Sequence, residues 1–245
     1  MAKWFTRETA NFLSLKQTLS ISSFYFLILY CMKKVYIDLE QNRKLFFTSD
    51  LHFGHENVIK FCNRPYTNAK EMRVKLIENW NSVVSNDDYA FILGDVFWFN
   101  HSKEMKRTFD KLNGKKIYVV PGNHDDFNSY LEKYGDAYDY LGFLDQKARI
   151  QILTCDEVTL YVEGLQQKEY YLSHCPMMTW PHRERGVPNF FGHIHSGPRS
   201  NNEVDNNLPL WPLQYDVGVD NNEYTPIEIR DIIKKLTRVL DSSES

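Results

Sequence analysis

Short apolar runs that end abruptly in Asp, Asn or His are the feature that most restricts how this 245-residue chain can fold. From residue 44 onward these runs alternate with segments of helical periodicity. The first run, 44–49, ends in Asp50, the second, 89–93, runs into Gly94-Asp95, and Pro121-Gly122 separates the third, 116–120, from Asn123. Alternating strand and helix signals are typical of an α/β or layered α+β domain. We therefore predict a fold of that class.

Three segments have the apolar spacing of helices that pack on a sheet. They are 69–85, a segment from Ser102 to just before Gly114, and the C-terminal segment after Thr225. The apolar stripe of the first is Met72, Leu76, Trp80 and Val83. The last has Glu228 three residues after Thr225 with Pro between them, the pattern of a capping box. Its apolar stripe is Ile229, Ile232, Ile233, Leu236 and Leu240.

The second half of the chain is richer in strand signals. The predicted strands are 148–153, 158–162, 169–172, 189–191 and 215–219. No internal repeat or low-complexity linker divides the chain, so one domain is predicted over residues 32–245.

The first 31 residues are predicted to be an extension outside the fold, since Met32 opens a segment that reads like the start of a complete domain. The apolar run 19–31 is shorter than the roughly 20 residues that a membrane-spanning helix needs. No small-x-small cleavage site follows this run, which argues against a signal peptide. Anchoring or export through 1–31 is the alternative.

Charge and cysteine content restrict the cellular setting. The four cysteines are far apart and form no C-x-x-C pair, which predicts free thiols and a cytoplasmic location. The formal net charge of −3 gives no general basic field. Neither nucleic acid nor a membrane is therefore predicted as a partner. The sequence leaves the oligomeric state open.

Residues with metal-binding side chains stand where the apolar runs end. Five of the eight histidines lie there, beside acidic and amide residues: Asp50, His52, Asp95, Asn123, His124, Asp125, His174, His193 and His195. Each alone has a structural explanation, such as a turn or a helix cap. A purely structural role would scatter the histidines, whereas strand ends of layered α/β proteins gather loops into one site. Asp-x-His and His-x-His are predicted to place two side chains on one side of an extended segment.

The order of these motifs resembles the complete motif series of the calcineurin-like metallophosphoesterases. The series is Asp50-x-His52, Gly94-Asp95, Gly122-Asn123-His124-Asp125, Ser173-His174 and Gly192-His193-x-His195, and it extends from about residue 44 to 220. The stretches DLHFGHENVIKFCNRP and SHCPMMTWP are similar to small bacterial and phage-type members. The resemblance implies a four-layer α/β/β/α sandwich with two divalent cations at its strand ends.

The resemblance also implies a role for each motif residue. One metal would be held by Asp50, His52, Asp95 and His195, and the other by Asp95, Asn123, His174 and His193. Asp95 would thus bridge the pair. Such nitrogen and oxygen ligands accept Mn, Fe, Zn, Ni or Co, and Mn is expected to support activity. His124 is predicted to protonate the leaving alcohol or to stabilise the phosphoryl oxygens. Asp125 is predicted to hold the His124 ring by a hydrogen bond, or alternatively to cap a helix.

The expected substrate is a small phosphodiester, such as a nucleotide or a cyclic nucleotide. Protein phosphatases of this superfamily carry an Asp-Arg-Gly sequence that is missing after Asp95, where VFWF follows. Arg183, Arg185 and His55 are candidate substrate contacts, although the arginines could equally be solvated, and the aromatic residues Trp98 and Phe99 could stack a base. Phosphomonoesterase activity is the alternative. A non-catalytic interaction module is disfavoured because every motif position is filled, and a nuclease of long DNA or RNA lacks support from the net charge.

Overall fold

The computed structural model describes residues 33–39, 42–98, 102–125, 148–153, 155–197 and 212–243. Ten strands in this part of the chain form two five-stranded sheets. Sheet I has the order β1-β6-β7-β8-β9 and sheet II the order β10-β2-β3-β4-β5. The strands are β1 Lys33–Asp38, β2 Leu45–Thr48, β3 Tyr89–Leu93, β4 Lys116–Val120, β5 Ile150–Ile152, β6 Glu157–Glu163, β7 Glu169–Ser173, β8 Asn189–Phe191, β9 Gln214–Asp216 and β10 Ile227–Glu228.

Sheet II has four parallel strands, β2 to β5, at its centre and one side. Its strands β3 and β4 have the bounds predicted from the apolar runs, and every residue of β2 is buried. Parallel sheets are covered on both faces, so their strands read as continuous apolar runs rather than as alternating patterns. The two sheets and the helices confirm the predicted α/β class and are consistent with the calcineurin-like fold.

Helices lie on the outer face of sheet II and beside the core between the two sheets. The described helices are α1 Glu56–Phe61, α2 Ala69–Val83, α3 Ser102–Phe109 and α4 Ile229–Ser243. Helix α2 begins after Asn68, whose Oδ1 accepts a hydrogen bond of 2.9 Å from the backbone N–H of Glu71. Its predicted stripe is confirmed, because Met72, Leu76 and Trp80 are buried in the cluster that α2 and α3 share with sheet II.

The predicted capping box at the C-terminal helix is wrong. Ile227 and Glu228 form β10, which pairs antiparallel with Phe47 and Phe46 of β2, and the helix begins only at Ile229. Without β10, strand β2 would leave an unpaired edge of backbone N–H and C=O groups in sheet II. Satisfying that edge outweighs a local helix signal.

A second core lies between the two sheets. It contains side chains of both, such as Leu45 and Phe47 of β2 and Leu160 and Val162 of β6, and the buried stripe of α4 adjoins it. On the outer face of sheet I, the loop that carries Trp180 and Val187 packs on β7. The described residues thus contain a helical layer and two sheets, and a helical layer over sheet I is not among them.

The extension 1–31 and its apolar run lie outside the described residues. Within the described part of the chain, no helix has both the length and the apolar character required to span a membrane.

Candidate metal centre

The loops after β2 and β3 remain paired beyond the ends of their strands. The backbone N–H of Asp50 donates to Gly94 O at 3.0 Å, that of His52 to Asp95 O at 2.9 Å and that of Phe53 to Val96 O at 2.9 Å. Because parallel strands end at the same edge of a sheet, this pairing places the first two motifs side by side.

Five of the predicted ligands have a backbone in the left-handed region. The φ angles are 58° at Asp50, 47° at His52, 55° at Asp95, 73° at His193 and 47° at His195. The prediction that Asp-x-His and His-x-His lie on extended segments is therefore wrong. Non-glycine residues adopt this conformation at a cost, and such residues concentrate at functional sites, where the surrounding structure holds them.

One group of predicted ligands surrounds a point between Asp50, His52, Asp95 and His195. The Nε2 atom of His52 lies 3.3 Å from His195 Nε2 and 3.5 Å from Asp95 Oδ2. His195 Nε2 lies 3.9 Å from Asp50 Oδ1, and that oxygen is buried with no hydrogen-bond partner.

A second group faces Asp95 from the other side. His174 Nε2 lies 3.5 Å from Asp95 Oδ2 and 2.9 Å from Asn123 Oδ1. The same amide oxygen lies 3.0 Å from His193 Nδ1. One carboxylate oxygen, Asp95 Oδ2, therefore stands between the two groups.

These residues fit divalent cations. His195 Nδ1 donates to Asp220 Oδ2 at 2.8 Å and His174 Nδ1 to Leu93 O at 2.7 Å, so in the neutral rings each Nε2 presents a lone pair to the site. Lone pairs only about 3 Å apart repel each other unless a cation or a proton lies between them. Ligand atoms about 2.1 Å from one cation lie about 3 Å apart when they are at right angles, which matches this spacing.

The carboxylates of the centre favour positive charge. Burial would lower the pKa of His174, but the hydrogen bond to Asp95 and the charge of Asp50 raise it to about 9. Burial likewise opposes protonation of His195, whereas its hydrogen bond to Asp220 raises its pKa to about 10. At Asp95, burial would raise the pKa, but the hydrogen bond and charge of His174 lower it to about 2. A site that stabilises protonated histidines also attracts metal ions.

Two charged residues that were not predicted from the sequence, Arg64 and Asp220, form hydrogen bonds to the predicted ligands Asp50 and His195. Arg64 donates from Nε and Nη2 to the two carboxylate oxygens of Asp220, each at 2.8 Å. The Arg64 Nη2 atom also donates to Asp50 O at 2.8 Å. Asp220 follows the apolar residues Val217 and Val219, so it obeys the same strand-end pattern that identified the other sites.

Motif glycines allow the ligands to pack closely. A Cβ atom at Gly94 would overlap the ring of His174, one at Gly122 would overlap Asp95, and one at Gly192 would overlap the carboxylate of Asp50. Glycine is thus required at these positions by close approach of the ligands.

The structure places His124 beside the two groups and corrects the role of Asp125. His124 Nε2 lies 4.0 Å from Asp95 Oδ2, and 41% of its side chain is exposed. Asp125 does not hold this ring within the described residues: its Oδ2 accepts from Gly122 N at 3.0 Å and its Oδ1 from Val96 N at 3.0 Å. Asp125 therefore joins the loops after β3 and β4, and the helix it was alternatively predicted to cap lies outside the described residues.

The candidate substrate contacts lie in different surroundings. The guanidinium of Arg183 lies over the ring of Trp180 and donates to Met178 O, and Arg185 is exposed on the same 3-10 turn. His55 is only 8% exposed and stacks against Trp98 near His52 and His124. Contacts of Arg183, Arg185 and His55 with a substrate remain predictions, and Phe99 lies outside the described residues.

Comparison with known proteins identifies related chains. The profile of the calcineurin-like phosphoesterases matches residues 43–221, a range that contains every predicted metal ligand. The chain is 44% identical over 86 residues to the uncharacterized protein MJ1445 of Methanocaldococcus jannaschii, and this match covers 35% of the chain but only 48% of that relative. It is 30% identical over 171 residues to the gene 66 protein of Mycobacterium phage L5, covering 61% of the chain and 76% of the phage protein.

Among solved structures, the chain is similar to AQ665, a protein of unknown function from Aquifex aeolicus. The TM-score is 0.54 at 23% sequence identity, with 79% of this chain and 99% of that chain covered. This similarity concerns the fold alone. Together with the phage relative, the profile match agrees with the small bacterial and phage-type members that the motifs resemble.

Proposed function

Because this chain belongs to the calcineurin-like phosphoesterase family, we propose that it hydrolyses a small phosphodiester, such as a nucleotide or cyclic nucleotide, at a centre of two divalent cations. The observation that carries the proposal is the position of Asp95 Oδ2, 3.5 Å from Nε2 of both His52 and His174. The bound cations would lower the pKa of the attacking water and stabilise the phosphoryl oxygens.

The proposed division of the ligands between the two cations is the one that the family resemblance implies. Asp50, His52 and His195 would hold the first, and Asn123, His174 and His193 the second, with Asp95 shared. The hydrogen bonds that Nδ1 of His195 and of His174 donate would fix the tautomer in which the Nε2 lone pair faces the cation. Manganese is the proposed metal for activity in vitro, and Fe, Zn, Ni and Co are compatible with the same ligands.

His124 is the proposed general acid. Its backbone N–H donates to Asp95 Oδ1 at 3.0 Å, which fixes the loop beside the shared carboxylate. Its side chain is 41% exposed, whereas those of His52 and His174 are almost fully buried, so His124 is the proposed contact of the leaving oxygen. In the proposed reaction, the ring donates a proton to the leaving alcohol oxygen as the P–O bond breaks.

The preference for a diester rests on the missing phosphatase arginine, and phosphomonoester hydrolysis is the alternative. A cytoplasmic location is also proposed, supported by the free thiols of Cys62 and Cys175.

The test is hydrolysis of bis(p-nitrophenyl) phosphate and p-nitrophenyl phosphate by metal-stripped protein titrated with Mn²⁺. We expect activity that appears with metal, favours the diester and is lost in Asp95→Asn. A clear preference for the monoester would replace the diester proposal. Absence of activity with every metal, together with no bound metal by mass spectrometry, would contradict the proposed function as a whole.

A further inference from the structure

An indole ring lies on a neighbouring histidine at the edge of the candidate metal centre. The rings of Trp98 and His55 are parallel within 6°, with centroids 3.8 Å apart. His55 is almost completely buried, and its Nδ1 has no hydrogen-bond partner. The imidazole of His55 thus supports one face of the indole.

The backbone of Trp98 is fixed to the catalytic loops. Its N–H donates to Phe53 O at 3.0 Å, and Phe53 and Phe97 form a parallel bridge. The backbone N–H of Val96, two residues before Trp98, donates to Asp125, whose neighbour His124 is the proposed acid. His55 therefore packs on one face of the indole, and hydrogen bonds between two loops fix the backbone beside it.

The indole remains accessible despite these contacts. Although one ring face is covered by His55, Trp98 is 47% exposed in a region where most apolar side chains are buried. Its centroid lies 4.9 Å from that of His124 at an interplanar angle of 60°. A group attached to the leaving oxygen at His124 would therefore extend over or beside the exposed indole.

We propose that Trp98, supported by His55, forms a stacking subsite for a planar base or aryl ring on the leaving-group side of the substrate. Aromatic side chains stack on any nucleobase because every base has a π face, whereas an alkyl group gains much less from the same surface. The inference rests on the proposed function, since it specifies the leaving group of the same reaction: a nucleoside or aryl alcohol rather than an alkyl alcohol.

The experiment compares ligands that differ only in the base. Binding of AMP and of ribose 5-phosphate to the Mn²⁺-loaded protein is measured by titration calorimetry, with phosphate release monitored in the same samples. Stacking of one base corresponds to about 5- to 150-fold in affinity, so we expect AMP to bind at least about ten-fold more tightly. Trp98→Ala should remove this difference by weakening AMP alone, and Trp98→Phe should retain most of it.

The control variant is Tyr36→Ala, which removes an exposed aromatic ring, 70% accessible, from the outer face of sheet I. It should bind both ligands like the unmodified protein. Equal affinity for AMP and ribose 5-phosphate, no binding of AMP, or equal weakening of both ligands by Trp98→Ala would overturn the stacking subsite. Each of these outcomes is distinguishable from failure of the proposed function, because hydrolysis of bis(p-nitrophenyl) phosphate is measured separately.

Discussion

Arg64 and Asp220 act on the metal centre although neither is a predicted ligand. Both are almost fully buried, and their two hydrogen bonds form a bidentate ion pair. The pair connects to two ligands, since Asp220 accepts from His195 and Arg64 donates to the carbonyl of Asp50. A buried charge pair is costly to form and costly to break, so its presence here indicates a positioning role rather than a gain in stability alone.

Asp220→Asn is expected to weaken metal binding and to destabilise the fold. Removing a residue that orients a metal-ligating histidine typically lowers metal affinity by about 10- to 100-fold. Leaving Arg64 buried without its partner costs about 3–5 kcal/mol in free energy of unfolding. Manganese titration calorimetry and thermal unfolding measure the two effects. Asp231→Asn, a change at an exposed position of α4, is the control; unchanged metal affinity in folded Asp220→Asn would refute the positioning role.

His124→Ala separates the proposed acid from the ligands. The ring lies 4.0 Å from Asp95 Oδ2 and is the most accessible of the histidines around that carboxylate. Because loss of a general acid costs about 10²- to 10⁴-fold in rate, we expect kcat to fall by that factor. Metal content, measured by mass spectrometry, should remain that of the unmodified protein. Loss of metal from the variant would place His124 among the ligands instead.

At the scale of elements, the sequence predicts the components of the fold better than the backbone of the site. The bounds of β3, β4 and β8 and the buried face of α2 follow from apolar patterns, because burial determines both pattern and structure. The local sequence of β10 predicts the first turn of a helix instead, since the strand's pairing partner is about 180 residues away in the chain and leaves no local signal.

For the site as well, the sequence predicts which residues take part but not the backbone conformation they adopt. Strand ends identify which ligands converge, but the left-handed backbone of Asp50, His52 and Asp95 depends on hydrogen bonds between loops that are distant in sequence. Arg64 was missed because it lies in a loop between helices rather than at a strand end. Only its contact with Asp220, 156 residues away, reveals its role.

Gly122→Ala tests whether close approach of the loops after β3 and β4 forms the site. A Cβ at Gly122 would overlap both the carboxylate and the backbone N of Asp95, so that shared ligand would have to move. We expect loss of manganese binding and of activity, with the protein still folded by circular dichroism. The control is Gly186→Ala, where φ is +82° but no atom lies within 4 Å of the new Cβ. In that variant, backbone strain should lower the free energy of unfolding by only about 1 kcal/mol, and the metals should remain bound. Equal metal binding in both variants would contradict the packing argument.

On the scale of the whole molecule, the metal centre joins parts of the chain that are far apart in sequence. Its predicted ligands come from the loops after β2, β3 and β4 of sheet II and from the ends of β7 and β8 of sheet I. Nitrogen and oxygen atoms of the predicted ligands approach one another to about 3 Å, and Asp50 Oδ1 is buried without a hydrogen-bond partner. Cations would therefore link the two sheets at one end of the sandwich.

Metal binding should consequently raise the thermal stability of the entire domain. A ligand that binds only the folded state stabilises it by about 2.7 kcal/mol at 100 times its dissociation constant. For a domain of this size each kcal/mol corresponds to about 2–4 °C in Tm, so saturating Mn²⁺ should raise Tm by about 5–10 °C for one cation and by more for two. Differential scanning fluorimetry of metal-stripped protein, with and without Mn²⁺, measures the shift. In Asp95→Asn the shift should largely disappear, because the ligand shared by both cations loses its charge, whereas Asp231→Asn should retain it in full. An equal rise of Tm in Asp95→Asn would mean that Mn²⁺ stabilises the protein from a site elsewhere on the molecule.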